Sequence, residues 1–312
     1  MADGMTDSAP RREKLVFFGN ERVATGVTTD APTLRGLIEA GYQVVAVVSS
    51  FQAATSRNAR QLEIEAVARE FKIPVMLPSR LNDIFDELSA LNADLGVLVA
   101  YGRIIPQKII NLFPRGIINI HPSLLPLHRG STPIEHAILD GDRQTGVSIM
   151  QLTAAMDAGP VWAQETIPLV GDERKPNLAA KLLAMGSTLL IDNLPRILSG
   201  AAAPEPQADS LATYDKPLTK ADGIIDPSKP AAQIEREIRA YLGWPGSRAR
   251  LFDTDVIITA AHVAHVAPAA EAAGPKDLVL ACGDNTELVI DRLKPAGKRE
   301  MTGREFLAGH RR

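Results

Sequence analysis

Residues 116–130 read GIINIHPSLLPLHRG. The stretch opens with β-branched residues, Ile117, Ile118 and Ile120, the composition of a buried strand. Asn119 and His121 interrupt that run. Alternate side chains of a strand share a face, so these two polar groups emerge side by side. Pro122 and Pro126 then end regular structure and hold a turn open. Polar groups at the carboxyl end of a buried strand stand where open α/β sheets bind ligands. A second polar stretch, Met156-Asp157-Ala158-Gly159-Pro160, could bring a carboxylate to the imidazole. Asn, His and Asp are the side chains wanted for moving an acyl group onto an amine.

The flanking sequence supplies the sheet that such a strand needs. Upstream, 14–19, 43–49, 74–78 and 95–101 are short apolar runs, and 33–40, 58–71 and 82–91 have helical spacing. Short strands alternating with helices predict βαβ units and a Rossmann-like, mostly parallel sheet. Downstream, 133–139 reads as a helix, 146–152 as a strand, and 161–169 as its partner. Residues 176–198 have the periodicity of a long helix that Pro195 should end or kink. Residues 200–212 are small, Pro-bearing and aperiodic, the best linker in the chain. Beyond it the pattern changes to one amphipathic helix, 231–242, and short β-type runs at 256–260, 262–267, 278–282 and 287–292. That predicts a small barrel.

Composition bounds the function. A chain of 312 residues is long enough for two domains with real cores. No apolar run approaches the roughly 20 residues of a membrane helix, so no membrane role is expected. The first residues lack the apolar region of a secretory signal and read as a disordered lead. Cys282 stands alone, which excludes an internal disulfide and a Cys-based zinc site and makes a cytoplasmic location the default. The turn Gly19-Asn20-Glu21-Arg22-Val23-Ala24 lacks the glycines that let backbone approach a pyrophosphate, which argues against a dinucleotide. His121, His128 and His136 have spacings that match no helical face, so no metal is expected. A net charge of −3 argues against a general nucleic-acid coat, yet Arg292–Arg312 holds seven basic residues against two acidic ones.

The run Asn119-Ile-His121-Pro-Ser123-Leu124-Leu125-Pro126-x-x-Arg129-Gly130 resembles the signature of the tetrahydrofolate-dependent formyltransferases. So do Thr145-Gly146-Val147, Met156-Asp157-Ala158-Gly159, and Val99-Ala100-Tyr101-Gly102 with Ile105-Pro106 after it. Thr213-Tyr214, Ile224 to Asp226, Ile238-Arg239-Ala240, Trp244-Pro245 and Lys294-Pro295-Ala296-Gly297-Lys298 extend the likeness to the tRNA-acting members over nearly the whole chain. The resemblance implies a formyltransferase fold over 14–200, after the 1–13 lead, then a linker at 201–212 and an OB-like tRNA-binding domain at 213–312. It implies 10-formyltetrahydrofolate as donor and the α-amine of methionyl-initiator tRNA as acceptor, in a monomeric enzyme without a metal. By the same likeness Asn119, His121 and Asp157 are catalytic, with Asn119 and His121 donating to the oxyanion. Ser123, Leu124, Leu125 and Pro126 form the folate pocket, and Tyr101 and Gly102 its wall. Arg57, Arg60, Lys294, Lys298 and Arg299 are the tRNA-binding candidates. The sequence departs from the family in a short, cation-poor Ser49–Arg60 loop and in Asn20-Glu21 where a Thr-Pro is usual. A nucleotide-linked amino sugar as acceptor would explain the short loop; a non-catalytic folate or tRNA binder is the alternative of another class. Read without the resemblance, Asp157 could be a turn residue, and His128 and His136 ordinary surface or loop residues.

Overall fold

The computed structural model of the chain describes residues 13–19, 30–49, 63–264 and 277–310. The predicted lead, Asn20-Glu21, Arg57, Arg60, the first turns of the 58–71 helix, the end of the 262–267 run and the Ala-rich patch near residue 270 lie outside them. The chain divides into two units by its own contacts: Met1–Pro133, Thr145–Ile167 and Ala179–Asp215 form one, and Ile134–Gln144, Pro168–Leu178 and Lys216–Arg312 the other.

The first unit is built on apolar runs short enough to be strands and buried on both faces. In chain order they are β1 (Lys14–Gly19), α1 (Pro32–Glu39), β2 (Gln43–Val48), α2 (Glu63–Glu70), β3 (Val75–Met76), α3 (Phe85–Ala90), β4 (Leu95–Val99), α4 (Gln107–Ile110) and β5 (Ile117–His121). Then follow β6 (Arg129–Gly130), α5 (Pro133–Leu139), β7 (Gln144–Gln151), β8 (Val161–Pro168), α6 (Lys175–Ser199) and β9 (Tyr214–Asp215), with α5 grouped in the second unit. The main sheet runs β3-β2-β1-β4-β5-β7-β8. Strands β3 to β5 are mutually parallel and β7 lies antiparallel to β5. Every residue of β4 and β5 is buried, as expected for strands covered on both faces. Phe18, Tyr101, Phe113 and Ile117 are central to the core on one face. On α6, Gly186 lies so close to Ile120 and Val147 that an added Cβ would overlap Ile120.

Pro195 neither ends nor visibly interrupts α6, which continues to Ser199. Leu194, Ile197 and Leu198 around it are buried, and their burial outweighs the one backbone bond that proline removes.

The second unit has α7 (Ala231–Ala240), β10 (Ser247–Leu251), β11 (Thr254–Val263), β12 (Val279–Cys282), β13 (Thr286–Pro295), β14 (Met301–Thr302) and α8 (Gly303–Ala308). The strands form an antiparallel sheet, β10-β11-β13-β12, with β14 against β13, the frame of a small barrel-like domain. The predicted breaks near residue 261 merge into one strand, β11. The register shifts between Ile258 and Ala261, so the lost alternation that suggested two strands marks an irregularity within one. Ile234 and Ile238 of α7 pack on Val256, Ile258, Leu288 and Ile290. Thr302 and Glu305 cap the start of α8 reciprocally.

Candidate active site

Asn119 and His121 sit on β5, hydrogen-bonded between β4 and β7, at 7 % and 4 % exposure. His121 is the last residue of the strand, at the carboxyl end of the parallel set. Its Nε2 is 2.9 Å from the carbonyl oxygen of His128. A carbonyl only accepts, so Nε2 carries the proton and Nδ1 is the ring's other nitrogen. Nδ1 faces Asp157, whose Oδ1 is 3.9 Å away. That is too long for a direct hydrogen bond but close enough for charge to act. The other oxygen, Oδ2, accepts the Gly130 N–H at 2.9 Å. The carboxylate is thereby oriented, with one oxygen fixed and one left toward the imidazole. Asp157 lies in a turn at φ +47°, a left-handed conformation that Asp tolerates better than most residues. The turn approaches the end of β7 so closely that a Cβ on Gly159 would overlap the Gln151 carbonyl. The structure therefore brings His121 and Asp157 together at the carboxyl end of β5, with Asn119 two residues earlier on the same strand.

The 123–126 loop is clamped from beneath. Ser148 on β7 donates to the Ser123 carbonyl at 2.6 Å, accepts the Leu125 N–H at 3.0 Å, and accepts Gln164 Nε2 at 2.8 Å. Gln164 also donates to the Leu125 carbonyl, and Ser123 Oγ to that of Leu127. Ser123 and Leu125 are buried, so what this loop offers a ligand is largely backbone and Leu124. Tyr101 turns its ring inward, edge-on to Phe18 at 5.9 Å and 2 % exposed, with burial pushing its phenol pKa upward. Gly102, at φ +75°, is the open residue of that pair.

His128, read as an ordinary surface or loop residue, and Arg129 of the signature are both central to the scaffold. His128 is not a free surface histidine: it is buried, with Nδ1 3.1 Å from Asp215 Oδ1 and its N–H bonded to Thr213 Oγ1 at 2.7 Å. Those bonds place the carbonyl that orients His121. Arg129 is 1 % exposed and fully engaged, through Nη1 with the Tyr214 hydroxyl at 2.8 Å and through Nη2 with Asp209 at 2.6 Å. Its Nε and Nη2 also reach Gln207. Burial would lower the pKa of this guanidinium, but the bonds to Asp209 and Tyr214 more than offset it and leave it raised. Gln207 lies in the stretch read as a linker, and no sequence pattern singles it out.

In the second unit, Lys294, Lys298 and Arg299 are exposed around the turn after β13, whereas Arg292 and Arg304 are already paired with Glu300 and Asp277. Lys294 lines a cleft of about 570 Å³ with Arg248, Arg250, Ile224 and Ile257. The alternation in Ser247-Arg248-Ala249-Arg250-Leu251 is the signal that places both arginines on one face of β10, and sequence reasoning passed over it.

Among the described residues no group of three or more His, Cys, Asp or Glu could hold a metal, and no helix is long and apolar enough to cross a membrane. A Rossmann-like sheet with Asn119, His121 and Asp157 near the carboxyl end of β5, followed in the chain by a small antiparallel domain, defines a class of two-domain α/β proteins. The particular family follows from comparison with known proteins. Residues 15–194 match the profile "Formyl transferase" and residues 217–311 the profile "Formyl transferase, C-terminal domain". The chain belongs to the formyl transferase family. It is 37 % identical to the methionyl-tRNA formyltransferase of Roseiflexus castenholzii, over 96 % of each chain. It is 39 % identical to that of Roseiflexus sp. strain RS-1, over 96 % of this chain and 93 % of the other. Among solved structures, an N-formyltransferase from Helicobacter canadensis, in complex with folinic acid and dTDP-3-aminofucose, aligns at a TM-score of 0.66. The identity there is 16 %, over 89 % of this chain and 98 % of that one. HypX from Aquifex aeolicus, in complex with tetrahydrofolic acid, aligns at 0.64 with 16 % identity, over 94 % of this chain and 46 % of that chain. At such identities these two structures speak for the fold alone.

Proposed function

We propose that this chain transfers the formyl group of 10-formyltetrahydrofolate to the α-amine of methionyl-initiator tRNA, giving N-formylmethionyl-tRNA for translation initiation. The observation that carries the chemistry is the orientation of His121: Nε2 is committed to the His128 carbonyl, so Nδ1 is the nitrogen beside Asp157. The amine nitrogen bonds to the formyl carbon, and the carbonyl electron pair moves to oxygen. The Asn119 amide and a protonated His121 Nδ1 donate to that oxyanion. Asp157 stabilises the imidazolium by charge and receives the amine proton through a water. Collapse of the intermediate breaks the bond to the folate nitrogen, which takes up a proton, so the net proton moves from amine to folate. The 123–126 loop and Gly102 form the folate side of the site, with the Tyr101 ring packed in the core behind them.

The acceptor rests on near-full-length similarity to methionyl-tRNA formyltransferases and on a cationic surface in the second unit. Lys294, Lys298 and Arg299 supply it, beside a half-buried Arg248 and an Arg250 already paired with Asp253 and Asp255. Arg57 and Arg60 complete the set proposed from sequence. In this reading the enzyme acts as a monomer in the cytoplasm, the location that the translation role named for its relatives supports.

The test is transfer of labelled formyl to methionyl-initiator tRNA and, in parallel, to a dTDP-linked amino sugar, each at low and moderate salt. Transfer to tRNA that falls steeply with salt supports the reading. Transfer to the sugar alone overturns the acceptor, and folate binding without either transfer overturns the reaction.

A further inference from the structure

We propose that Gln207, which lies in neither matched domain, is a positioning residue of the formyl-transfer site: it holds the Asp157 turn in register with His121. The proposal rests on the reading of Asp157 given above. Gln207 lies in an otherwise largely exposed stretch that joins the edge of the sheet, where Glu205 pairs with Val161. Its amide nitrogen donates to the carbonyls of both Asp157 and Gly159, each at 2.7 Å. Its amide oxygen accepts from Arg129 Nε at 3.1 Å and Nη2 at 2.9 Å. All four hydrogen-bonding sites of the amide are thereby used. The orientation is fixed by chemistry, because carbonyls only accept and a guanidinium only donates.

The arrangement grips the turn at both sides of Ala158, while Gly130 grips the Asp157 carboxylate. Asp157 itself has left-handed backbone and Ala154, Ala155 and Met156 before it are exposed; the turn's own bonds, to the Ala155 carbonyl from Thr153 Oγ1 and the Ala158 N–H and from the Gln151 N–H to the Pro160 carbonyl, leave the Asp157 and Gly159 carbonyls to Gln207. Arg129 anchors the clamp in turn, through Tyr214 and Asp209. Misplacing a reacting group by about 1 Å costs on the order of 10²-fold in rate, so a loosened turn is expected to lower kcat while leaving substrate affinity intact.

The discriminating variant is Gln207→Glu. It retains an acceptor for Arg129, so a residue that merely fastened the arginine would leave activity unchanged. It also removes both donors and sets a carboxylate oxygen against the Asp157 and Gly159 carbonyls. The expected result is a fall in kcat of about 10–100-fold, with KM for folate and for tRNA unchanged. In an Asp157→Asn background the same change should cost little further, because both act through one carboxylate. Hydrogen exchange of the Gly130 amide gives a readout that needs no turnover: it should quicken in Gln207→Glu as the Asp157 carboxylate leaves it. Gln207→Asn, with a shorter amide, should be intermediate in both readouts. Wild-type kcat and wild-type Gly130 protection in a folded Gln207→Glu protein would overturn the proposal, as would a full additional loss in the Asp157→Asn background. Absent wild-type turnover would instead fail the formyl-transfer reading, with Gly130 exchange still deciding whether Gln207 places Asp157.

Discussion

Replacing Asp157 by Asn tests the electrostatic core of the site. The substitution keeps the shape and the acceptor for the Gly130 N–H, so the turn should hold. What it removes is a negative charge 3.9 Å from His121 Nδ1, between side chains only 5 % and 15 % exposed. At an effective dielectric of about 20, a carboxylate and an imidazolium at that distance attract by about 4 kcal/mol. Solvent at the open side reduces this to roughly 3–4 kcal/mol, so kcat should fall about 10²–10³-fold. Single-turnover formyl transfer at saturating folate isolates the chemical step, and a KM measured for each substrate separates binding from it. The melting temperature should stay near wild type. A kcat within about threefold of wild type would refute the reasoning, since no reading that gives Asp157 a charge role survives such a result.

Other substitutions probe the supports. Ser148→Ala strands the buried Leu125 N–H and should cost about 1–3 kcal/mol, seen in chemical denaturation, and raise KM for folate by disturbing the 123–126 loop. Lys175 and Glu135 form a buried ion pair at 2.8 Å, so Lys175→Met should destabilise by about 3–5 kcal/mol, and Lys175→Met with Glu135→Leu should recover much of it. Hydrogen bonds from Thr259 and then Arg292 hold the Glu300 carboxyl below the usual range. Its contribution is present above the ordinary carboxylate pKa and is lost as pH falls through the lowered folded value, so Glu300→Gln should weaken the fold at neutral pH and flatten its acid loss in pH-dependent melts. Lys294→Ala with Lys298→Ala should reduce the salt dependence of tRNA transfer by about two ionic contacts; an unchanged slope removes that face from tRNA binding.

The sequence made β5 and its two polar residues readable because strand periodicity is local: two residues apart on a strand means one face. That Asp157 could meet His121 was suggested by the residue types alone, but only the resemblance favoured it over a turn residue, since the two lie 36 positions apart on either side of β7. That α6 runs on past Pro195 was not readable, because a local propensity argument cannot see that Leu194, Ile197 and Leu198 are buried. His128 was misread for a similar reason, its partner Asp215 lying far along the chain. Gln207 was invisible: a single amide in a Pro-bearing, aperiodic stretch carries no pattern, and its importance comes wholly from long-range bonds to backbone and to Arg129.

The two family profiles stop at residue 194 and resume at residue 217. Between them lie Gln207, Asp209, Thr213, Tyr214 and Asp215, whose side chains fasten Arg129, the His128 carbonyl and the Asp157 turn. The exchangeable module is therefore longer than the conserved-domain boundary suggests. A chimaera joined after Pro195 would inherit the reacting groups and lose their fastening; one joined after Asp215 would carry both. Recombination that gives this sheet a new companion domain should leave the intervening segment with the sheet, so viable breakpoints are expected after Asp215 rather than at the profile boundary.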